Sequence, residues 1–166
     1  MYEKVTWPER YDPRTSAIYA LNDIDVKAPP EVVWKLLVDA ERWSDYFPFE
    51  DQVKILGGDT ELALDTRFSR VTVGFPMSLH VTEYEPIRKL AWETVVDADH
   101  TATAYHGWVV TPTEDGCHVL TEETQQGDFF VEELGRKHPG ALYNYHQEWV
   151  ERLASAAEAE VQKRVV

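Results

Sequence analysis

Cys117 is the only cysteine in the chain, so an intramolecular disulfide is excluded, and so are the usual structural zinc sites built from several thiolates. Positive charge is scarce as well. Sixteen Lys and Arg face thirty Asp and Glu, and the formal net charge of -14 repels phosphate backbones and anionic membrane surfaces. Nucleic acid is therefore not an expected partner. No apolar run approaches the ~20 residues that cross a bilayer, and the opening MYEKVTWPERYDPR has no apolar run after a basic start. A cytoplasmic, reduced protein without a membrane span is the expectation. GxSxG, GxGxxG, Walker-type loops, HExxH and internal repeats are also missing, so serine hydrolysis, dinucleotide binding and motif-based metal ligation have no support. No metal and no cofactor are expected.

At 166 residues the chain has the length of one domain, able to bury about two thirds of its unfolded surface. The clearest periodic stretch is Gly140 to Val161, where Leu142, His146, Trp149 and Leu153 fall at intervals of four, three and four and make one apolar stripe on a helix. Such a stripe needs a concave receiving surface, and the strand-like segments upstream can supply one as a curved antiparallel sheet. Residues 1–15, with Pro8, Pro13, Tyr2, Trp7 and Tyr11, read as an extended arm tacked on by its aromatics. From Ser16 the pattern alternates, with Ile18, Ala20, Asn22, Ile24 and Val26 on one face of a first strand.

Pro29 and Pro30 end that strand, and a helix is expected over Glu31 to Val38 with Val33, Trp34 and Leu37 buried, then a short second helix over Glu41 to Tyr46. Val53 to Leu56 reads as a strand. Thr66 to Pro86 reads as two strands broken near Pro76, and alternation places Arg67, Ser69, Val71, Val73 and Phe75 on one face and Met77, Leu79 and Val81 likewise. Leu90 to Val96, Thr103 to Thr111 and His118 to Thr124 complete the strands, the last two joined by a hairpin at Pro112 to Gly116. Gln125 to His138 suits either a short helix or a flap.

Ile24 to Pro48, IDVKAPPEVVWKLLVDAERWSDYFP, resembles the opening of the START-like (SRPBCC) superfamily, which includes polyketide cyclases and lipid-transfer domains. Asp65-Thr-Arg-Phe68 is similar to its glycine-threonine-arginine-aromatic strand opening, with Asp65 in the glycine's place. Glu85 to Trp92, His106 to Gly116 and Val119 to Thr124 resemble its mid-sheet turn, its histidine-containing strand and its last hairpin. The resemblance covers most of the chain and implies an α+β helix-grip fold. Its parts are a curved antiparallel sheet of six or seven strands around a long C-terminal helix, two short helices after the first strand, and a single START-like domain over residues 16–162. It also implies an internal cavity for an apolar or aromatic small molecule, used for cofactor-independent cyclisation or dehydration in some members and for carriage in others.

His146 lies on the apolar stripe and His106 shares a strand face with Trp108; both read either as general acid and base or as hydrogen-bonded core residues. Tyr143, three residues before His146, is a candidate proton donor beside it. Arg67 is the basic residue that alternation turns inward, able to clamp a carboxylate unless it reaches solvent at the strand's end, and Ser69 accompanies it. Trp92, Trp108, Leu142, Trp149 and Leu153 either line a pocket or fill it, as does Trp34. Of Glu122 and Glu123, alternation turns at most one inward, and a solvated surface is expected for the pair.

Overall fold

The computed structural model describes residues 1–72, 74–95 and 102–165, with the backbone alone at Thr72 and Phe75. The expected positions of Val73 and Val96 therefore lie outside the described residues, as does the Phe75 side chain.

A single antiparallel sheet is built from β1 (Ile18–Val26), β2 (Glu50–Ile55), β3 (Arg67–Thr72), β4 (Phe75–Glu85), β5 (Lys89–Thr94), β6 (Thr103–Thr113) and β7 (Gly116–Gln126). Its spatial order is β1-β7-β6-β5-β4-β3-β2, so the first strand pairs with the last and the sheet curls into a half-barrel. Between β1 and β2 come α1 (Pro30–Val38) and a 3-10 turn at Ala40–Asp45, and after β7 a one-turn α2 (Asp128–Phe130) runs into a π-helical turn at Val131–Arg136. The chain ends in α3 (Ala141–Val165), 25 residues long, which lies in the hollow of the sheet. Among the described residues no helix is long and apolar enough to cross a membrane.

Local chemistry accounts for these elements. Pro30 opens α1 at a position whose N–H would have no intrahelical partner, and Glu31 sits in the same first turn, where a carboxylate meets the positive end of the helix dipole. On α3 the buried residues His146, Trp149, Val150, Leu153, Ala154 and Ala157 recur every three or four positions, and this is the stripe that the sheet receives. Leu142, at the start of that stripe, is only half-buried.

The outer face of the sheet is also covered. Residues 1–15 lie across β5, β6 and β7, with Val5 and Tyr11 packed among Ala91, Tyr105, Val109 and Leu120, and Trp7 and Leu21 at the rim. Gly107 makes this approach possible: a Cβ there would stand 2.7 Å from the Val5 methyl carbons. Tyr2 stacks on His118 with ring centroids 3.8 Å apart, and His118 in turn contacts Asp23 and Asp25. Because β6 and β7 are buried on both faces, the alternation that marks a half-exposed strand fades there.

One expected strand face is reversed. In β3 the buried side chains are Phe68 and Arg70, while Arg67 is exposed and Ser69 half-buried. Residues directly opposite each other in a ladder share a face, and Phe68 pairs with Leu79 and Arg70 with Met77, whereas Arg67 pairs with His80. Leu79 and Val81 do point inward, as alternation in β4 requires. Arg67 and Ser69 therefore do not reach the interior, and the inward cation is Arg70. Asp65, which takes the place of a glycine at the entry to β3, has φ 67, the left-handed conformation that favours glycine.

Candidate functional site

The registers of β5, β6 and β7 set one row of side chains across the inner face: Trp92 opposite His106, and His106 opposite Glu123. The inner row beside it holds Leu90, Trp108, Thr121 and Asn22. From the opposite side α3 lowers His146 and Trp149 onto these rows. The His106 and His146 rings stack with centroids 4.5 Å apart and planes 17° from parallel.

Glu123 completes the polar cluster. Its Oε1 lies 3.2 Å from His106 Nδ1 and 3.9 Å from His146 Nε2, and its Oε2 accepts a hydrogen bond of 2.5 Å from Gln125 Nε2. The three side chains are each at most 3 % exposed. Alternation does turn one carboxylate of the Glu122–Glu123 pair inward, but neither is solvated. Glu122 is buried on the outer face, where Trp7 Nε1 donates to its Oε2 at 3.1 Å.

The contacts around Thr121 bear on which His106 nitrogen carries the proton. Thr121 Oγ1 donates its only proton to the Gly107 carbonyl at 2.9 Å, and it lies 2.7 Å from His106 Nε2. With the hydroxyl donating to Gly107 it accepts from the ring, and this is the tautomer that has its proton on Nε2 and a bare Nδ1 on the side of Glu123. Nδ1 receives no hydrogen bond. In that tautomer two acceptor atoms lie 3.2 Å apart in a dry interior, and a proton or a cation held between them relieves the cost.

The electrostatics agree with that need. Burial, the neighbouring His146 and the Arg70 guanidinium hold His106 well below the ordinary imidazole range. Burial and then Arg70 bring His146 down to about 3. Both rings are neutral at physiological pH. Burial pushes the Glu123 carboxyl up to about 7, against the opposing pull of Arg70 and Gln125.

A second buried polar group lies beside the first. Arg70 Nη1 donates to Glu50 Oε1 at 3.2 Å, with side chains 5 % and 0 % exposed, and Tyr145 Oη donates to the same oxygen at 2.6 Å. The Arg70 guanidinium carbon also stands 5.8 Å from the Trp92 ring centroid.

The remaining interior is aromatic. Trp43, Trp92, Trp108 and Trp149 are each at most 1 % exposed, and Trp149 contacts Trp43, Phe47, Trp108 and His106 with ring centroids 5.1, 5.0, 5.2 and 5.8 Å away. The indoles that the sequence offered either as lining or as filling occupy the space between sheet and helix. The indole N–H groups of Trp92 and Trp108 have no hydrogen-bond acceptor there. A shallow groove of about 470 Å³ lies instead on the solvent side of α3, between Asn144 and Ser155.

The structure therefore brings His106, His146, Trp92, Trp108, Trp149 and Leu153 together, with Leu142 at the margin. It leaves out Arg67, Ser69 and Tyr143. Tyr143 is 50 % exposed, and its backbone carbonyl accepts from Asn22 Nδ2 at 3.1 Å. The tyrosine that turns inward is Tyr145, on the flank of α3 that meets Phe47 and Glu50. Glu123, Arg70, Glu50 and Tyr145 escape a reading of single elements, because each is drawn inward by a partner on another strand or helix.

Comparison with known proteins agrees with this architecture. The family described as polyketide cyclase / dehydrase and lipid transport matches residues 21–163. No curated protein matches. Among solved structures, hypothetical protein jhp0584 from Helicobacter pylori is similar with a TM-score of 0.85 and 25 % identity, over 95 % of this chain and 98 % of that one. The di-domain ARO/CYC StfQ from the steffimycin biosynthetic pathway is similar over 90 % of this chain and 54 % of its own, with a TM-score of 0.70 and 13 % identity. Norcoclaurine synthase of Thalictrum flavum, a point mutant in complex with a transition state analogue, has a TM-score of 0.64 and 12 % identity over 86 % of this chain and 95 % of that one.

Proposed function

Since the chain belongs to the polyketide cyclase / dehydrase and lipid transport family, we propose that it binds an apolar or aromatic small molecule between the sheet and α3, with its polar end against His106, Glu123 and His146. The observation that carries this reading is the placing of two buried imidazoles and a buried carboxyl at one point of an otherwise aromatic interior. A planar ligand would enter by exchanging its own stacking contacts for those that Trp43, Phe47 and Trp149 now make with one another. In a cyclisation or dehydration, a neutral histidine removes the proton next to a carbonyl. The protonated Glu123 carboxyl gives its proton to the departing hydroxyl, which leaves as water. Positioning in a dry site supplies the rest of the rate. The StfQ aromatase/cyclase fold supports the class of reaction by likeness of architecture only.

Native mass spectrometry of protein purified from its own source tests the binding. A retained apolar ligand is expected, and protein that is consistently empty and refuses ligand overturns the reading. His106→Ala and His146→Ala are each expected to lower turnover of that ligand by about 10²–10⁴-fold with the fold intact. Unchanged turnover in both leaves carriage without chemistry. That second reading has its own support in the packing, which holds both rings among indoles and gives His106 Nε2 to Thr121.

A further inference from the structure

Two strands and the last helix place His106, Glu123 and His146 so that one nitrogen or oxygen from each lies within 4.8 Å of the other two. We propose that these three residues form a binding site for a divalent transition-metal ion of the zinc type, with a fourth coordination position open to water or a monoanion. This goes beyond the proposed function and needs no organic ligand.

The first support is the orientation of His106. Its Nε2 is engaged by Thr121, and its Nδ1 stands 3.2 Å from Glu123 Oε1 with no hydrogen bond between them. A metal ion accepts electron pairs from both atoms at once. Bonds of about 2.0–2.1 Å in a tetrahedral centre separate neighbouring ligand atoms by about 3.3 Å. The 3.2 Å separation already has that value, and the 3.9 Å from Glu123 Oε1 to His146 Nε2 needs a shift of a fraction of an ångström.

The second support is the donor chemistry. Two imidazoles and one carboxylate suit zinc or a neighbouring transition metal, whereas calcium and magnesium require a shell of oxygens. The outer partners that fix ligand orientation in metal sites are also present: Thr121 holds the far side of the His106 ring, and Gln125 holds the second oxygen of Glu123.

Charge is the third consideration. Among the described residues Arg70 is the one cation near the cluster, and its guanidinium is paired with Glu50. With Glu123 and Glu50 ionised and Arg70 charged, the buried groups carry one net negative charge. A dication bearing one hydroxide or other monoanion brings the interior to neutrality. The set is invisible to a search for local motifs, because its members come from positions 106, 123 and 146 on three different elements.

The full chain, unfolded and refolded once with chelator and once with Zn²⁺ so that burial does not block entry, is desalted and weighed by native mass spectrometry. One zinc per chain is expected in the second sample only, and refolding with Co²⁺ is expected to give the visible absorption of a four-coordinate nitrogen and oxygen site. Glu123→Gln and His146→Ala are expected to weaken uptake at least about 100-fold. His118→Ala, which removes the histidine beside Asp23 and Asp25 beneath the Tyr2 ring, away from the cluster, is expected to bind as the parent does. A parent chain that takes up no metal overturns the proposal, and so does uptake that survives at Glu123→Gln and His146→Ala. Should those variants fail to fold, the Co²⁺ spectrum of the parent decides: a spectrum of octahedral, oxygen-only type overturns the site. Organic ligand retention is read separately, so loss of one reading leaves the other standing.

Discussion

Trp149→Ala is expected to lower unfolding stability by about 3–5 kcal/mol, the range for removing a fully buried indole from a core. Trp149 is 0 % exposed and lies between the 3-10 turn of Trp43 and the β6 residues Trp108 and His106, so its loss leaves a hole that neither sheet nor helix can close without moving. Its Nε1 also donates to Tyr46 Oη at 3.4 Å. Urea denaturation measures the loss. Free indole added to the variant is expected to restore part of it, because an apolar hole of that shape binds the molecule that was cut away. Tyr143→Ala, on the same helix, is expected to change stability by no more than about 0.5 kcal/mol, since its ring stands in solvent. A small effect at Trp149, or a large one at Tyr143, would contradict the placement of the α3 stripe.

Arg70→Met is expected to cost about 3–5 kcal/mol, the penalty for leaving one member of a buried ion pair behind. Glu50, 0 % exposed, would keep the Tyr145 hydroxyl, but its charge would lose its guanidinium. Adding Glu50→Gln to Arg70→Met removes that charge. The double variant is therefore expected to be more stable than the sum of the two single losses implies. By contrast Arg67→Met, on the exposed face of the same strand, is expected to be nearly neutral. Equal losses at the two arginines would return the β3 face to the one that alternation alone suggests.

These two comparisons mark where the sequence was legible and where it was not. The α3 stripe could be read because Trp149 and Leu153 repeat at helical spacing against a polar remainder, and the β1 face because Ala20, Asn22 and Val26 alternate with Asp23 and Asp25. Arg70 could not be read that way. A buried guanidinium breaks the apolar alternation, and only the pairing of Phe68 with Leu79 shows which face is inner. Glu123 was hidden for a related reason: a carboxylate next to Glu122 reads as surface until His106 and His146 arrive from elsewhere in the chain. The covering of β6 by the N-terminal arm removed the polar outer face that would have marked its inner one. In each case the missing information is an interaction between elements, which no single-element pattern carries.

Proton transfer and metal binding both draw on one feature, the His106 Nδ1 left without a hydrogen bond 3.2 Å from Glu123. Long-range correlation of the imidazole protons with the ring ¹⁵N nuclei in metal-free protein measures it directly. The geometry predicts a neutral His106 with its proton on Nε2 and an acceptor-type Nδ1 throughout the physiological pH range. A cationic ring, or a proton resident on Nδ1, would contradict the account at its centre.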